Sequence, residues 1–235
     1  MIIRGFLETS LLDFEGKVSS VLFVGGCNFR CPYCQNRGLV LNPERYEPIP
    51  QEDIDSYLRT HKDFIEGICL TGGEPCLCED IEGFFRHFKE MGLSVKLDTN
   101  GSCPKVLRRL IEVGVVDYIA MDIKAPLNFE SYSSSIGVKS RGLFEGVRES
   151  IKILMTSPID YEFRTTVVPT LHTSKDIEEI AQSIRGAKRF ILQNFQATET
   201  IDPAYSRVTP YTFKEIEEMA KGIRDYVEES KARGK

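Results

Sequence analysis

The most informative stretch of this sequence is Cys27-Asn28-Phe29-Arg30-Cys31-Pro32-Tyr33-Cys34, in which three cysteines are spaced C-x3-C-x2-C. It follows an apolar run that ends in Gly25-Gly26, and Pro32 bends it, so the three thiolates can point to one centre as soft metal ligands. A tetrahedral zinc site or a cubane iron–sulfur cluster takes four ligands. Either a distant fourth ligand completes the set, or one coordination position is open to an exogenous ligand.

Composition narrows the class of protein. The chain has 235 residues, 41% hydrophobic and 28% charged, enough to build one large core or two small ones. A net charge of −5 argues against a broad nucleic-acid surface. The sequence starts without the apolar core of a signal peptide, and no run approaches membrane-spanning length. We expect a cytoplasmic protein that binds neither nucleic acid nor membrane, whose seven cysteines are ligands, reactive thiols or core residues.

Strand-like and helix-like patterns alternate along the chain. After an opening strand and turn, strands are predicted at 17–24, 67–71, 93–98, 115–122, 161–168 and 189–194. Helical spacing of apolar residues follows at 54–61, 81–88, 104–111, 143–154, 173–184 and from 212 onward. Segment 35–50 shows no helical period, and 125–139, with three consecutive serines, is predicted to be a loop.

Six strands that each precede a helix predict an α/β fold of parallel strands with outer helices. The expected architecture is a partial (β/α)6 TIM-like barrel, with a doubly wound sheet as the alternative. Because no linker or repeat is evident, residues 1–235 are predicted to form a single domain.

Chemically distinctive residues follow the predicted strands, where α/β sheets gather their chemistry. In chain order these are the cysteine loop, Gly72-Gly73-Glu74-Pro75, Asp98-Thr99-Asn100-Gly101, Asp122-Ile123-Lys124, the pair Arg164 and Thr166, and Gln193-Asn194. If the strands are parallel, all of these residues face one mouth.

Each motif alone also has a simpler interpretation. Cys31-Pro32-Tyr33-Cys34 is typical of a glutaredoxin-type dithiol, but that site needs a helix directly after it, and 35–50 lacks the helical period. Structural zinc needs a fourth ligand, and none of the three histidines has ligand spacing. Gly72 to Pro75 alone is a turn, and Asp98 and Asp122 alone could cap loop N–H groups. The combination is more specific than its parts.

That combination resembles the radical S-adenosylmethionine (SAM) superfamily. The strand ends Leu97 to Gly101, Met121 to Lys124 and Arg164 to Pro169 are similar to those of glycyl-radical-enzyme activases. Four segments resemble anaerobic ribonucleoside-triphosphate reductase activating proteins in particular, namely Thr9-Ser10-Leu11-Leu12-Asp13, Gly26-Cys27-Asn28-Phe29-Arg30-Cys31, Glu162-Phe163-Arg164-Thr165-Thr166 and Leu192-Gln193-Asn194-Phe195.

The resemblance implies one [4Fe-4S] cluster, held by Cys27, Cys31 and Cys34, with SAM chelating the fourth iron. Reductive cleavage of SAM would then yield a 5′-deoxyadenosyl radical, with no side chain acting as a further catalytic group. By the same resemblance, Asp98 and Asp122 hold a monovalent cation beside the SAM carboxylate. The SAM contacts that it implies are Tyr33 on adenine, Gly72, Gly73 and Glu74 at the methionine amino group, Asp98, Lys124 on the ribose side, Arg164, Thr166 and Asn194.

The implied activity is abstraction of a glycine Cα hydrogen from a loop of anaerobic ribonucleotide reductase, with flavodoxin or ferredoxin as the electron donor. The alternatives are another glycyl radical enzyme of the pyruvate formate-lyase type, a small-molecule substrate, or a simple iron–sulfur electron carrier. Cys69 is expected in the core. A second metal at Cys76, Cys78 and Cys103 stays open, although C-x-C is a poor cluster pattern.

Overall fold

The computed structural model describes residues 1–234, which divide into two compact units. The first unit comprises 1–28, 36–99 and 105–119, and the second comprises 29–35, 100–104 and the chain from 120 onward. The prediction of a single domain over residues 1–235 stays a prediction.

The first unit combines four strands with four helices. Its strands are β1 (Ile3–Ser10), β2 (Ser19–Val24), β3 (Gly67–Gly72) and β4 (Ser94–Thr99). Its helices are α1 (Arg37–Leu41), α2 (Gln51–Thr60), α3 (Ile81–Glu90) and α4 (Pro104–Glu112). The first residue of α4 belongs to the second unit. β1 is antiparallel to β2, whereas β2, β3 and β4 are parallel. Since Val24 pairs with Gly72, β2 and β3 end side by side.

The second unit continues the alternation. β5 (Tyr118–Asp122) begins in the last segment of the first unit and ends in the second. It is followed by α5 (Phe129–Ile136), α6 (Arg141–Thr156), β6 (Asp160–Val167), α7 (Ser174–Ser183), β7 (Arg189–Asn194), α8 (Phe213–Gly222) and β8 (Glu229–Arg233). β6, β7 and β8 are parallel.

Most predicted helices form as their apolar spacing indicates. Ile81, Phe84, Phe85 and Phe88 are the buried face of α3, as expected for residues that are three and four apart. Helix α8 begins where the helical spacing from 212 onward predicts it, with Thr212 and Glu215 forming a capping box. The predicted α/β class with mostly parallel strands is likewise confirmed.

The loop predicted at 125–139 is wrong, because α5 lies there. Asn128 caps its first turn by accepting a hydrogen bond from the Ser131 N–H, and Gly137 ends it in the left-handed region. Tyr132 and Ile136 give it a buried face. Three consecutive serines favour a loop, but the packing of this buried face offsets their weak helix propensity.

Two further differences concern short elements. Segment 35–50 contains the five-residue helix α1, which ends at Asn42-Pro43 because proline disfavours the helical conformation in the residue before it. β8 was missed because its sequence, Glu-Ser-Lys-Ala-Arg, has no apolar alternation. Within residues 1–234, no helix is long and apolar enough to cross a membrane.

An ion pair joins β8 to β6. The Arg233 guanidinium donates to both carboxylate oxygens of Glu162 at 2.9 and 3.0 Å, and the Glu162 side chain is 1% exposed while that of Arg233 is 31% exposed. A bidentate contact to a buried carboxylate fixes this last strand more firmly than a surface ion pair would.

We expect Arg233→Met to lower the free energy of unfolding by about 1–3 kcal/mol, because it removes the bidentate partner of a buried carboxylate, although water partly screens the guanidinium, which is 31% exposed. Urea unfolding of the reconstituted protein without oxygen measures this change. Arg148→Met is the matched control, since it breaks an exposed pair with Glu145 and should cost less than about 0.5 kcal/mol. Equal effects of the two substitutions would contradict the assigned role.

Candidate active site

Backbone contacts bring the start of the cysteine loop against the Gly-Gly-Glu-Pro motif. The Glu74 N–H donates to the Gly26 carbonyl at 2.8 Å, and the Gly73 N–H donates to the Val24 carbonyl at 2.9 Å. A Cβ atom on Gly73 would collide with the Gly26 carbonyl, and Gly72 has φ of +110°. The two glycines are therefore required by close approach and by backbone conformation.

Glu74 is fully buried, and its carboxylate is held in place. Oε1 accepts hydrogen bonds from the Thr99 hydroxyl at 2.7 Å and from the Cys76 N–H at 3.0 Å. Thr99 ends β4, so the ends of β3 and β4 together fix this side chain. Two donors hold this buried carboxylate in one orientation. As a hydrogen-bond acceptor with negative charge, it is suited to bind a cationic group.

In the second unit, the other part of the cysteine loop is anchored at both ends. The Arg30 N–H donates to the Ile136 carbonyl at 2.8 Å, and the Ile201 N–H donates to the Cys34 carbonyl at 3.2 Å. Within the loop, the Cys34 N–H donates to the Cys31 carbonyl at 3.0 Å. Helix α5, which sequence patterns missed, therefore holds the cysteine loop.

Asp122 lies between two cations. Its carboxylate accepts from Lys124 Nζ at 2.7 Å and from Arg164 Nε at 2.9 Å. Burial by itself raises the pKa of Asp122, but these two cations outweigh it and lower that pKa to about 2. Burial conversely tends to lower the pKa of Lys124, and Asp122, with smaller contributions from Tyr33 and Cys31, raises it instead. The trio is thus fully charged at neutral pH.

The backbone of Lys124 is held by three side chains that sequence analysis did not select. Its carbonyl accepts from His172 Nε2 at 2.9 Å and from Ser135 Oγ at 2.5 Å, and its N–H donates to Tyr132 Oη at 3.4 Å. Because the Val168 N–H donates to His172 Nδ1 at 3.0 Å, the imidazole proton lies on Nε2. Asn128 and Gly137, nine residues apart, were the available signal for α5, whereas His172 carries no sequence signal.

Three more of the predicted SAM contacts, Tyr33, Thr166 and Asn194, lie in the same unit. Tyr33 is buried, with Oη 3.4 Å from Ser135 Oγ, and burial raises the pKa of its phenol. Asn194 Nδ2 donates to the Tyr211 carbonyl at 3.0 Å. Thr166 is partly exposed, two residues beyond Arg164 on β6. The structure therefore brings Asp122, Lys124 and Arg164 into direct contact and ties Lys124 to Tyr33 through Ser135.

None of the seven cysteines, all of which lie within residues 1–234, forms a disulfide bond. Cys69 is fully buried, as predicted. Cys76 is buried, and its Sγ lies 3.6 Å from the Thr99 hydroxyl oxygen. Burial, together with the nearby Glu74, raises the pKa of the Cys78 thiol. Among residues 1–234, no three His, Cys, Asp or Glu side chains are arranged as a metal site, so the cluster ligands and the second metal stay predictions.

The donor chemistry nevertheless fits an iron–sulfur cluster and SAM. Three thiols within eight residues supply soft ligands. Lys124 lies within electrostatic range of Cys31, so a positive charge is close to a thiol that would bind metal as an anion. Glu74 and the carbonyls beside it supply acceptors for an ammonium group.

Comparison with known proteins agrees with this chemistry. The sequence model of the protein family described as the radical SAM superfamily matches residues 21–185 of this chain. This chain belongs to the radical SAM superfamily. A relative from Methanocaldococcus jannaschii, named "putative glycyl-radical enzyme activating enzyme", is 30% identical over 97% of this chain and 93% of its own length. This radical SAM protein is of the glycyl-radical-enzyme activating type, and its family implies a [4Fe-4S] cluster and SAM.

Two further relatives extend the comparison. The pyruvate formate-lyase 1-activating enzyme of Escherichia coli K12 is 29% identical over 71% of this chain and 68% of its own length. The crystal structure of Streptococcus suis SuiB superposes with a TM-score of 0.64 and 17% identity, covering 91% of this chain. This radical SAM chain spans about half of SuiB, 48% of its length. The likeness confirms the predicted fold class.

We expect His172 to make stability pH-dependent. Burial lowers the pKa of this imidazole below its ordinary value of 6.5, so below that pH the unfolded chain binds the proton more readily than the folded chain. Stability should therefore fall on acidification from about pH 7 to about pH 5, by up to about 1.4 kcal/mol per pH unit from this group.

His172→Gln should remove this component while keeping an N–H for the Lys124 carbonyl. Urea unfolding of both proteins across this pH range measures the difference in slope, with His61→Gln, at a partly exposed histidine, as the control. Identical slopes in wild type and His172→Gln would show that His172 does not contribute.

Proposed function

We propose that this protein activates anaerobic ribonucleoside-triphosphate reductase by removing the Cα hydrogen of a glycine in a loop of that enzyme. The observation that carries the proposal is the relative from Methanocaldococcus jannaschii, which matches nearly the whole chain under the name of a glycyl-radical enzyme activating enzyme. The choice of the reductase rests on the four segments that resemble reductase activating proteins, among them Gly26 to Cys31 and Leu192 to Phe195.

In this proposal Cys27, Cys31 and Cys34 hold three irons of one [4Fe-4S] cluster, and SAM occupies the fourth. When bound, the cluster and SAM would supply a one-electron reductive cleavage of the S–C5′ bond of SAM, which yields methionine and a 5′-deoxyadenosyl radical as the acceptor of the glycine hydrogen atom. The side chains of this protein bind, orient and balance charge, so no acid, base or nucleophile is required.

Glu74 is the proposed acceptor for the methionine ammonium, together with backbone carbonyls at Gly72 and Gly73. Thr99 and the Cys76 N–H support this role, because they fix the Glu74 carboxylate before any ligand binds. A group that is already in place loses little conformational entropy on binding.

Lys124 is proposed to reach the ribose, and Arg164, Thr166 and Asn194 to complete the contacts. The clamp on the Lys124 backbone by His172 and Ser135 supports this assignment. Tyr33 is proposed to pack on adenine. Since its phenol is buried with a raised pKa, it stays a neutral aromatic surface at physiological pH.

Flavodoxin or ferredoxin is the proposed electron donor. Pyruvate formate-lyase is the second candidate partner, because the activating enzyme of E. coli is 29% identical over 71% of this chain. The reductase is preferred because of the four segments that resemble reductase activating proteins.

Cys31→Ala should abolish both cluster assembly and SAM cleavage, because a [4Fe-4S] cluster that loses one of three thiolate ligands is left with two. After reconstitution without oxygen, iron and sulfide analysis should give about four irons per wild-type chain. Cys103→Ala is the control, since that thiol is outside the motif. Retained SAM cleavage in Cys31→Ala would contradict the ligand role, and about eight irons in wild type would indicate a second cluster.

Electron paramagnetic resonance tests the partner. Reduced protein and SAM are mixed in parallel with the anaerobic reductase and with pyruvate formate-lyase, and 5′-deoxyadenosine is measured in the same samples. We expect a glycyl radical signal in the reductase that disappears when its radical glycine is replaced by alanine. A signal only in pyruvate formate-lyase would favour the second candidate, and SAM cleavage without either signal would favour a small-molecule substrate. A protein that cleaves no SAM would be an electron carrier.

A further inference from the structure

Lys96 is a buried lysine that no predicted role uses. It lies in β4 of the first unit, and its side chain is 3% exposed. Lysine is rarely buried to this extent unless its charge is matched, because removing an ammonium group from water is costly. The groups around the Lys96 ammonium therefore indicate which negative charge it balances.

Three groups hold the Lys96 ammonium. Nζ lies 3.3 Å from Asp98 Oδ1 and donates to the Asp13 carbonyl. It also lies 5.6 Å from the centroid of the Tyr118 ring, within the range of a cation–π contact. Because residues 96 and 98 are two apart on a strand, they point to the same face. The positive charge is thus fixed beside Asp98.

Asp98 in turn lies next to the Gly-Gly-Glu-Pro motif. Its Oδ2 accepts a hydrogen bond at 3.4 Å from the hydroxyl of Thr71, the residue before Gly72. The following residue, Thr99, donates to Glu74. Thr71 and Thr99 therefore link the pair of Lys96 and Asp98 to the motif that is proposed to meet the methionine part of SAM.

This arrangement disagrees with the predicted monovalent cation. An added cation beside the SAM carboxylate is needed only if the negative charges of Asp98 and Asp122 would otherwise repel that carboxylate. Each carboxylate already has a cationic partner in its own unit, Lys96 for Asp98 and Lys124 with Arg164 for Asp122. The residues of this chain therefore do not fit a site whose charge requires an added cation.

We propose that Lys96 is the resident counter-ion of Asp98 and makes SAM binding independent of sodium or potassium. Lys96 is a positioning residue, since it acts through Asp98. The inference rests on the proposed function only in taking the Gly-Gly-Glu-Pro motif as the place where SAM binds. It does not depend on which protein partner is activated.

The test measures SAM affinity by equilibrium dialysis with the reconstituted protein, without oxygen, in a tetramethylammonium buffer to which potassium or sodium is then added. Wild-type affinity should be the same in all three buffers. Lys96→Met keeps the length of the side chain but removes its charge, and should weaken binding about tenfold or more in tetramethylammonium. Added potassium or sodium should restore much of that loss, because a small cation can take the vacated position beside Asp98.

Two further variants complete the design. Lys105→Met changes an exposed lysine of α4 and should bind SAM as wild type does in every buffer. Lys96→Met combined with Asp98→Asn removes both charges of the pair, which avoids a lone buried carboxylate that could prevent folding. The double variant should show no response to potassium or sodium. Iron content and circular dichroism verify that each variant holds its cluster and is folded.

Several results would overturn the inference. Wild-type affinity that rises with potassium or sodium would show that the protein uses an added cation. Two results with Lys96→Met would show that Lys96 does not act through its charge: SAM affinity equal to wild type in tetramethylammonium, or weakened affinity that neither potassium nor sodium restores. A response of the double variant to these cations would show the same. Wild type that binds no SAM would refute this inference and the site together. SAM binding as expected without any glycyl radical in a partner would refute only the proposed partner.

Discussion

The close approach of two backbone segments is the constraint on which the rest of the first unit depends. Gly26 directly precedes the first cysteine of the loop. Gly73 lies so close to Gly26 that any side chain at position 73 would collide with the Gly26 carbonyl. Parallel pairing of β2 with β3, with Val24 opposite Gly72, makes this contact possible. The contact ties the position of the first cysteine to that of Glu74, although the two are 47 residues apart in sequence.

Charge pairing is the second organising principle. An oppositely charged partner reduces the cost of burying a charge, and three carboxylates of this protein have such a partner. Asp122 is paired with two cations, Asp98 with Lys96, and Glu162 with Arg233. Pre-paired side chains are held in one orientation, which suits a site that must orient a charged cofactor.

Elements without an evident chemical signature hold the reactive ones. Helix α5 anchors the cysteine loop through Ile136 and the Lys124 carbonyl through Ser135. His172, in the turn between β6 and α7, fixes the same carbonyl as a neutral donor. Supporting groups of this kind set the precision of a site, because first contacts are only as well placed as the groups that hold them.

The sequence by itself determined the alternation of strands and helices, the cysteine motif and the polar residues at the strand ends, because apolar periodicity and ligand spacing are local properties of the chain. It did not reveal α5, β8 or the roles of Lys96 and His172. A helix rich in serine, a strand of charged residues and a buried lysine are stabilised by partners that are distant in the sequence, as Ile136 is from Arg30. Only the tertiary structure decided which charges are paired, because desolvation and ion pairing depend on neighbours that folding brings together.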